Sequence, residues 1–195
     1  GDRLDIKTEF ATGFPYTLTH ATALAGLAAE LVISAPPKKG IITDLDNTLW
    51  RGILGEIGAK GVSWNLDNHS HLHALYQQLL NALAKSGILV AVASKNDQAL
   101  VEEVFAREDI LLPRDAVSLL EANWGRKSVS VSRILKAWNI GPDSIVFIDD
   151  TPMELDEVKT EHKEVETFLF PTGDEAACHD LLKRLRGLFG KQVIS

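Results

Sequence analysis

Ile41-Ile42-Thr43-Asp44-Leu45-Asp46-Asn47-Thr48-Leu49-Trp50-Arg51 is an apolar run ending in two aspartates one residue apart, with a threonine two positions further on. Side chains alternate faces along a strand, so Asp44 and Asp46 are expected to point the same way. Two neighbouring carboxylates repel, and each raises the other's cost of ionising. A divalent cation between them removes that cost, and Mg²⁺ prefers carboxylate oxygen. The stretch therefore predicts a strand over 40–46 that carries an acidic, metal-binding pair at its carboxyl end. It is too apolar to be half exposed, which makes it a central, parallel strand.

Downstream, apolar runs at 88–93, 116–120, 144–148 and 166–169 predict four more strands. Helical spacing predicts helices over 69–85, 98–107, 128–138 and 174–188. Gly87 is placed to end the first of these as a C′ glycine, and Asp97 to cap the second. Strands alternating with helices imply βαβ units and a parallel sheet. Residues 50–66 hold four glycines and read as a hairpin or flap, not a helix. Upstream, residues 1–39 are expected to be an N-terminal extension with an alanine-rich helix near 21–33, and 40–195 the catalytic domain.

The net charge of −7 argues against a nucleic-acid partner. The single cysteine, Cys178, excludes an internal disulfide and a cysteine-based metal centre, and reads as a buried helix residue. No apolar stretch reaches membrane-spanning length. A cytoplasmic setting without membrane association is the expectation.

Parallel sheets place their ligands at the carboxyl ends of the strands. Asp44 and Asp46, Ser94, and Asp149 and Asp150 all stand at such ends. Asp44, Asp46, Asp149 and Asp150 are the candidate metal ligands. Thr48, Ser94, Lys95, Asn96 and Lys127 are the candidate phosphate-binding residues. The chemistry this allows is attack on phosphorus by Asp44, with Asp46 handling the proton. Arg51 and Arg126 are candidates to assist an anionic substrate. His69, His71 and His73 alternate, but residues two apart diverge on a helix, so they read as a polar helix start. Trp50 and Trp124 are expected to adjoin the site.

Asp44-Leu45-Asp46-Asn47-Thr48, Ser94, Lys127 and Asp149-Asp150 resemble, in order, the four motifs of the haloacid-dehalogenase (HAD) superfamily, across about residues 40–190. Longer strings resemble its FkbH-like group: Asp44–Trp50 with Gly52 and Gly55-Glu56, Ser94–Asp97, Asn123-Trp124 before Lys127, and Phe147–Pro152 with Glu154. The resemblance implies a three-layer, Rossmann-like α/β core and Mg²⁺-dependent phosphatase and acyltransferase activity in polyketide biosynthesis. Its implied partners are a phosphorylated three-carbon acyl donor of the 1,3-bisphosphoglycerate type and an acyl carrier protein. It also implies that residues 21–33 are the tail of a preceding domain. The chain departs from the FkbH-like pattern where that pattern has a cysteine at the start of the first strand; here the stretch is Lys38-Lys39-Gly40-Ile41. The spacings from Asp46 to Ser94 and from Ser94 to Lys127 leave no room for a cap domain, so the site is expected to be open apart from the 50–66 flap. Two alternatives stand beside this reading: a stand-alone capless phosphatase acting on a protein or sugar phosphate, and a docking module without activity.

Overall fold

The structure, a computed structural model, describes residues 38–189 together with His20, Thr22 and Leu24. The chain divides into two compact units, Gly1–Pro36 and Pro37–Ser195. In the first, His20, Thr22 and Leu24 are helical. The rest of the helix expected near 21–33 lies outside the described residues.

In the second unit the described elements run β1 (Gly40–Thr43), α1 (Leu54–Gly61), α2 (His71–Lys85), β2 (Leu89–Ser94), α3 (Gln98–Phe105), β3 (Leu119–Ala122), α4 (Lys127–Trp138), β4 (Ile145–Asp149), α5 (Pro152–Glu161), β5 (Glu166–Leu169) and α6 (Glu175–Phe189). Among these residues, five strands form one sheet in the order β3-β2-β1-β4-β5. Every pairing is parallel. This is the three-layer α/β core expected from the sequence. β1 is the central strand, with all four of its residues buried.

The pleat divides the core in two. Ile41, Val90, Val92, Val146 and Ile148 face α2, α3 and α6, where Tyr76, Leu80, Val101, Val104, Leu181 and Leu185 pack against them. Ile42, Ala91, Ala93, Ile145 and Phe147 face α4 and α5, through Val131, Ile134, Leu155 and Val158. A fully buried side chain of this size contributes roughly 1.5–3 kcal/mol. The two faces therefore hold β1 in a fixed register, and its carboxyl end in a fixed place.

Local signals act as expected at two helix ends. Gly87 follows α2 with φ +93°, the left-handed conformation that suits glycine. Asp97 accepts hydrogen bonds from the Ala99 and Leu100 amides at the start of α3. Three expectations need correction. β1 stops at Thr43, so the aspartates follow the strand and do not extend it to 46. Residues 54–61 are helical, with a break at Gly58 (φ 70°), despite their glycines. The Arg51–Ser63 backbone pair, 2.9 and 3.1 Å, pinches this segment shut at its base. Buried Leu54 seats it on the core. Finally, α5 was not anticipated. Its residues are mostly polar and exposed, with Leu155 and Val158 alone fully packed, too few for a helical stripe to stand out.

Candidate active site

The Asp44 amide donates to the Ile148 carbonyl at 2.9 Å, so the chain leaves β1 still tied to β4. The Leu45 carbonyl then accepts the amides of Thr48, Leu49 and Trp50. Asn47, at φ 53°, completes the reversal, and its Oδ1 accepts the Gly52 amide at 3.0 Å. Asp44 and Asp46 thus reach the same cleft through a tight turn, not through the pleat of a strand. The Asp46 Oδ1 accepts the Trp50 indole N–H at 2.9 Å and the Leu54 amide at 3.2 Å. Trp50 itself is fully buried and fixes this carboxylate.

Two other strand ends and one helix start contribute. Ser94 closes β2, and the buried Asn96 amide donates to its hydroxyl at 3.2 Å. Asp149 closes β4 and is fully buried; its Oδ1 accepts the Thr151 amide at 2.9 Å. Asp150 follows, with the Thr151 hydroxyl 3.3 Å from its Oδ1. Lys127 is the first residue of α4 and is buried. Its ammonium donates to Asp149 Oδ2 at 2.5 Å and lies 2.9 Å from Asp44 Oδ1. That second approach is ionic and lacks hydrogen-bond alignment, so the buried Asp44 Oδ1 has no hydrogen-bond partner.

Asp44, Asp149 and Asp150 bring one oxygen each within 4.8 Å of one another. Two charges about 4 Å apart interact by roughly 4 kcal/mol at an effective dielectric of about 20. One ammonium therefore does not balance three carboxylates. The electrostatics show the imbalance. Burial, then the charge of Asp44, push Asp149 up to about 7 against the pull of Lys127. Burial and Asp44 also raise Asp150. Burial pushes Lys127 down, but the Asp44 and Asp149 charges outweigh it and hold the ammonium above the ordinary lysine value. An all-oxygen donor set of three carboxylates facing one ammonium fits a hard divalent cation such as Mg²⁺.

A cleft of about 240 Å³ opens onto this cluster, and Asp44, Asp46, Ser94, Lys95, Lys127 and Asp150 line it. Five expected residues need correction. The Asp46 carboxylate stands outside the three-carboxylate cluster, because Trp50 and Leu54 hold it to the side. Thr48 is fully buried and does not line the cleft; its carbonyl accepts from His73 Nδ1 at 2.9 Å. Asn96 is likewise buried and does not line the cleft; its side-chain amide bears on it indirectly, by orienting Ser94 and bonding to Asp46. Arg126 pairs with Glu157 and Glu161 on α5 at 3.5 and 3.3 Å, and so is not a cleft residue. Lys95 lines the rim but is bonded to Glu154 at 2.6 Å. Asn47, Ile53 and Thr151 line the cleft without having been singled out. Only the Asn-Thr context after Asp46 hinted at the first of them. Trp124 is 74% exposed and makes no wall of the cleft.

His69, His71 and His73 converge after all. All three line a second cavity, because His69 precedes α2 in a left-handed turn (φ 49°) and only the latter two are helical. His73 is buried and stacks on Phe170 at 5.2 Å. Burial holds its pKa below the ordinary 6.5, with Arg51 and His71 adding to the effect, against the Thr48 carbonyl. The folded ring refuses a proton that the unfolded chain accepts. Its contribution to stability is therefore complete above about 6.5 and is lost as the pH falls. The raised Asp149 contributes with the opposite sign over the same range, so the reading is the difference between variants: from about pH 7 to 5 the urea midpoint of His73→Leu is expected to gain on that of the wild type. A difference that does not change with pH would show that His73 contributes nothing to the pH dependence.

No family model matches the chain, and no curated protein matches it. Solved structures do. The N-terminal part of a Bacteroides fragilis protein, containing a phosphatase domain and complexed with Mg, is 26% identical, with a TM-score of 0.74 over 97% of this chain and 51% of that one. The chain thus spans about half the length of that structure. A 3-deoxy-D-manno-octulosonate 8-phosphate phosphatase from Moraxella catarrhalis, in complex with magnesium, phosphate and the sugar acid, is 16% identical, with a TM-score of 0.52 over 77% and 87%. A predicted HAD-like family hydrolase from Porphyromonas gingivalis is 12% identical, with a TM-score of 0.51 over 76% and 99%. The chain thus shares the fold of phosphatases and of a HAD-like hydrolase. Two of these structures hold Mg²⁺, and the Asp44, Asp149 and Asp150 oxygens form a donor set able to take it. Among the described residues, no helix is long and apolar enough to cross a membrane.

Proposed function

We propose that the chain is a Mg²⁺-dependent phosphatase that works through an aspartyl-phosphate on Asp44. The observation that carries this is one cleft in which Asp44 meets a hydroxyl, an ammonium and a second carboxylate, from Ser94, Lys127 and Asp46. A carboxylate oxygen of Asp44 attacks phosphorus, and the bond to the leaving oxygen breaks with its electron pair. Asp46 gives that oxygen a proton. Burial raises the Asp46 pKa, against the bonds from Trp50, Asn96 and Leu54, and so favours the protonated donor. Asp46 next takes a proton from water, whose oxygen displaces Asp44 from phosphorus and releases phosphate. Lys127 holds Asp44 in place and, with Ser94, binds phosphoryl oxygens. Mg²⁺ held by Asp44, Asp149 and Asp150 supplies charge neutralisation at the carboxylates and the phosphoryl group.

The finer reading is FkbH-like, and the strings around Asp44, Ser94, Lys127 and Asp149 support it. The substrate is then a phosphorylated three-carbon acyl donor of the 1,3-bisphosphoglycerate type, and an acyl carrier protein is the acceptor. The carrier's thiolate attacks the acyl carbonyl, and phosphate leaves with the electrons of the broken C–O bond. No thiol of this chain takes part. Gly40 lies at the end of β1 remote from the aspartates, and a Cβ there would come within 2.6 Å of the Trp138 ring. Cys178 is buried in α6, and burial pushes its thiol up to about 11. The missing thiol favours the second reading, a stand-alone capless phosphatase on a protein or sugar phosphate.

Hydrolysis of p-nitrophenyl phosphate is expected with Mg²⁺ and not with excess chelator. Absence of Mg²⁺-dependent hydrolysis of any phosphate ester would leave a docking role instead. Intact-mass analysis of a carrier protein, incubated with the enzyme and 1,3-bisphosphoglycerate, separates the finer readings. A glyceryl adduct supports acyl loading, and phosphate release alone supports the simple phosphatase.

A further inference from the structure

Beside the catalytic cleft lies a larger cavity of about 700 Å³. The two share Asn47 and Asp150, so the larger adjoins the space beside a phosphate ester bound at Asp44. We infer that this cavity is the leaving-group pocket, and that Arg51, flanked by His69 and His71, binds an anionic group on the leaving portion of the substrate. The inference rests on the phosphatase reading and names the substrate class: small phosphate esters or anhydrides whose other end bears a carboxylate or a second phosphate.

The walls are of two kinds. Leu72, Phe170 and Pro171 give an apolar side suited to a short carbon skeleton. Opposite in character are Arg51, His69 and His71. Arg51 is exposed, and among the described residues no carboxylate pairs with it. Its Nη1 donates to the Asn68 carbonyl at 2.6 Å, a neutral acceptor that steadies the side chain without cancelling its charge. Its backbone is fixed by the pair of hydrogen bonds to Ser63. A guanidinium held in this way offers the remaining edge of its donor fork to a carboxylate or phosphate. The buried Nδ1 of His71 has no hydrogen-bond partner, whereas its Nε2 lies 3.7 Å from Glu175. Glu175 lies beside His71 and Asp150 belongs to the metal-binding cluster, and neither pairs with Arg51.

Three substrates on one skeleton test this: glycerol 1-phosphate, 3-phosphoglycerate and glycerol 1,3-bisphosphate. The readout is each kcat/KM divided by that for glycerol 1-phosphate. The wild type is expected to prefer at least one anionic substrate tenfold or more. Arg51→Gln should reduce that ratio at least tenfold, mainly through KM, and Arg51→Lys should recover part of it. Preference for 3-phosphoglycerate identifies a carboxylate as the ligand, and preference for the bisphosphate identifies a phosphate. A wild-type ratio near one, or a ratio unmoved by Arg51→Gln, overturns the pocket assignment while phosphatase activity stands. If no ester is hydrolysed with Mg²⁺, the catalytic reading falls, and this one with it.

Discussion

Asp44→Asn is expected to abolish Mg²⁺-dependent phosphate release, by about 10⁴-fold or more, and to leave the protein folded. Loss of a covalent nucleophile removes the whole two-step route, which accounts for the size of the effect. The fold should tolerate the change because an amide is isosteric with the carboxylate and removes one of three crowded charges. Lys127 still pairs with Asp149 at 2.5 Å. Thermal midpoints are therefore expected to match or exceed the wild type without a divalent cation. The checks are steady-state hydrolysis, circular dichroism and the absence of a phosphorylated protein by mass. Retained turnover would show that another group attacks phosphorus.

Lys127→Met should lose activity too, but through stability as well as chemistry. Its ammonium is the buried counter-charge shared by Asp44 and Asp149. Removing one partner of a buried ionic network leaves uncompensated charge, at a cost of about 3–5 kcal/mol. In a domain of this size, that corresponds to a fall in Tm on the order of 10 °C. The folded-state pKa of Lys127 is raised, so its stabilisation is present throughout the range below the ordinary lysine value of 10.5 and is lost only as the pH rises through the folded value. The deficit of the variant narrows in acid, as Asp149, held near 7, takes up a proton. Lys95→Met is the contrast. Lys95 pairs with Glu154 at the partly exposed rim, so about 1 kcal/mol or less is expected. Equal Tm losses in the two variants would show that the buried network does not carry the difference.

Much of the fold was legible because its signals are local. The apolar strands, the helical spacing of 71–85, the Gly87 terminus and the Asp97 cap depend on neighbours within a few residues. α1 and α5 were missed for the opposite reason. Glycines hide the first, and the second has a polar sequence over a small buried footprint, so packing against the sheet decides each. At the site, the order of acids, serine and lysine at strand ends was readable. The separation of Asp46 from the metal-binding acids was not, since it depends on the Trp50 indole and the Leu54 amide after the turn. Nor was the burial of Thr48 and Asn96.

The chain's own spacing determined that acidic groups stand at the ends of central parallel strands, because strand ends are set by hydrophobic pattern and turn chemistry. Tertiary structure alone decided which of them share a charge. Asp44, Lys127 and Asp149 come from separate segments, and their coupling depends on distances of 2.5 and 2.9 Å and on exclusion of water. The same holds for the second cavity. The sequence marks Arg51 as a candidate for an anionic substrate and the histidines as a polar helix start, but only the pinched loop and the start of α2 bring them to one wall.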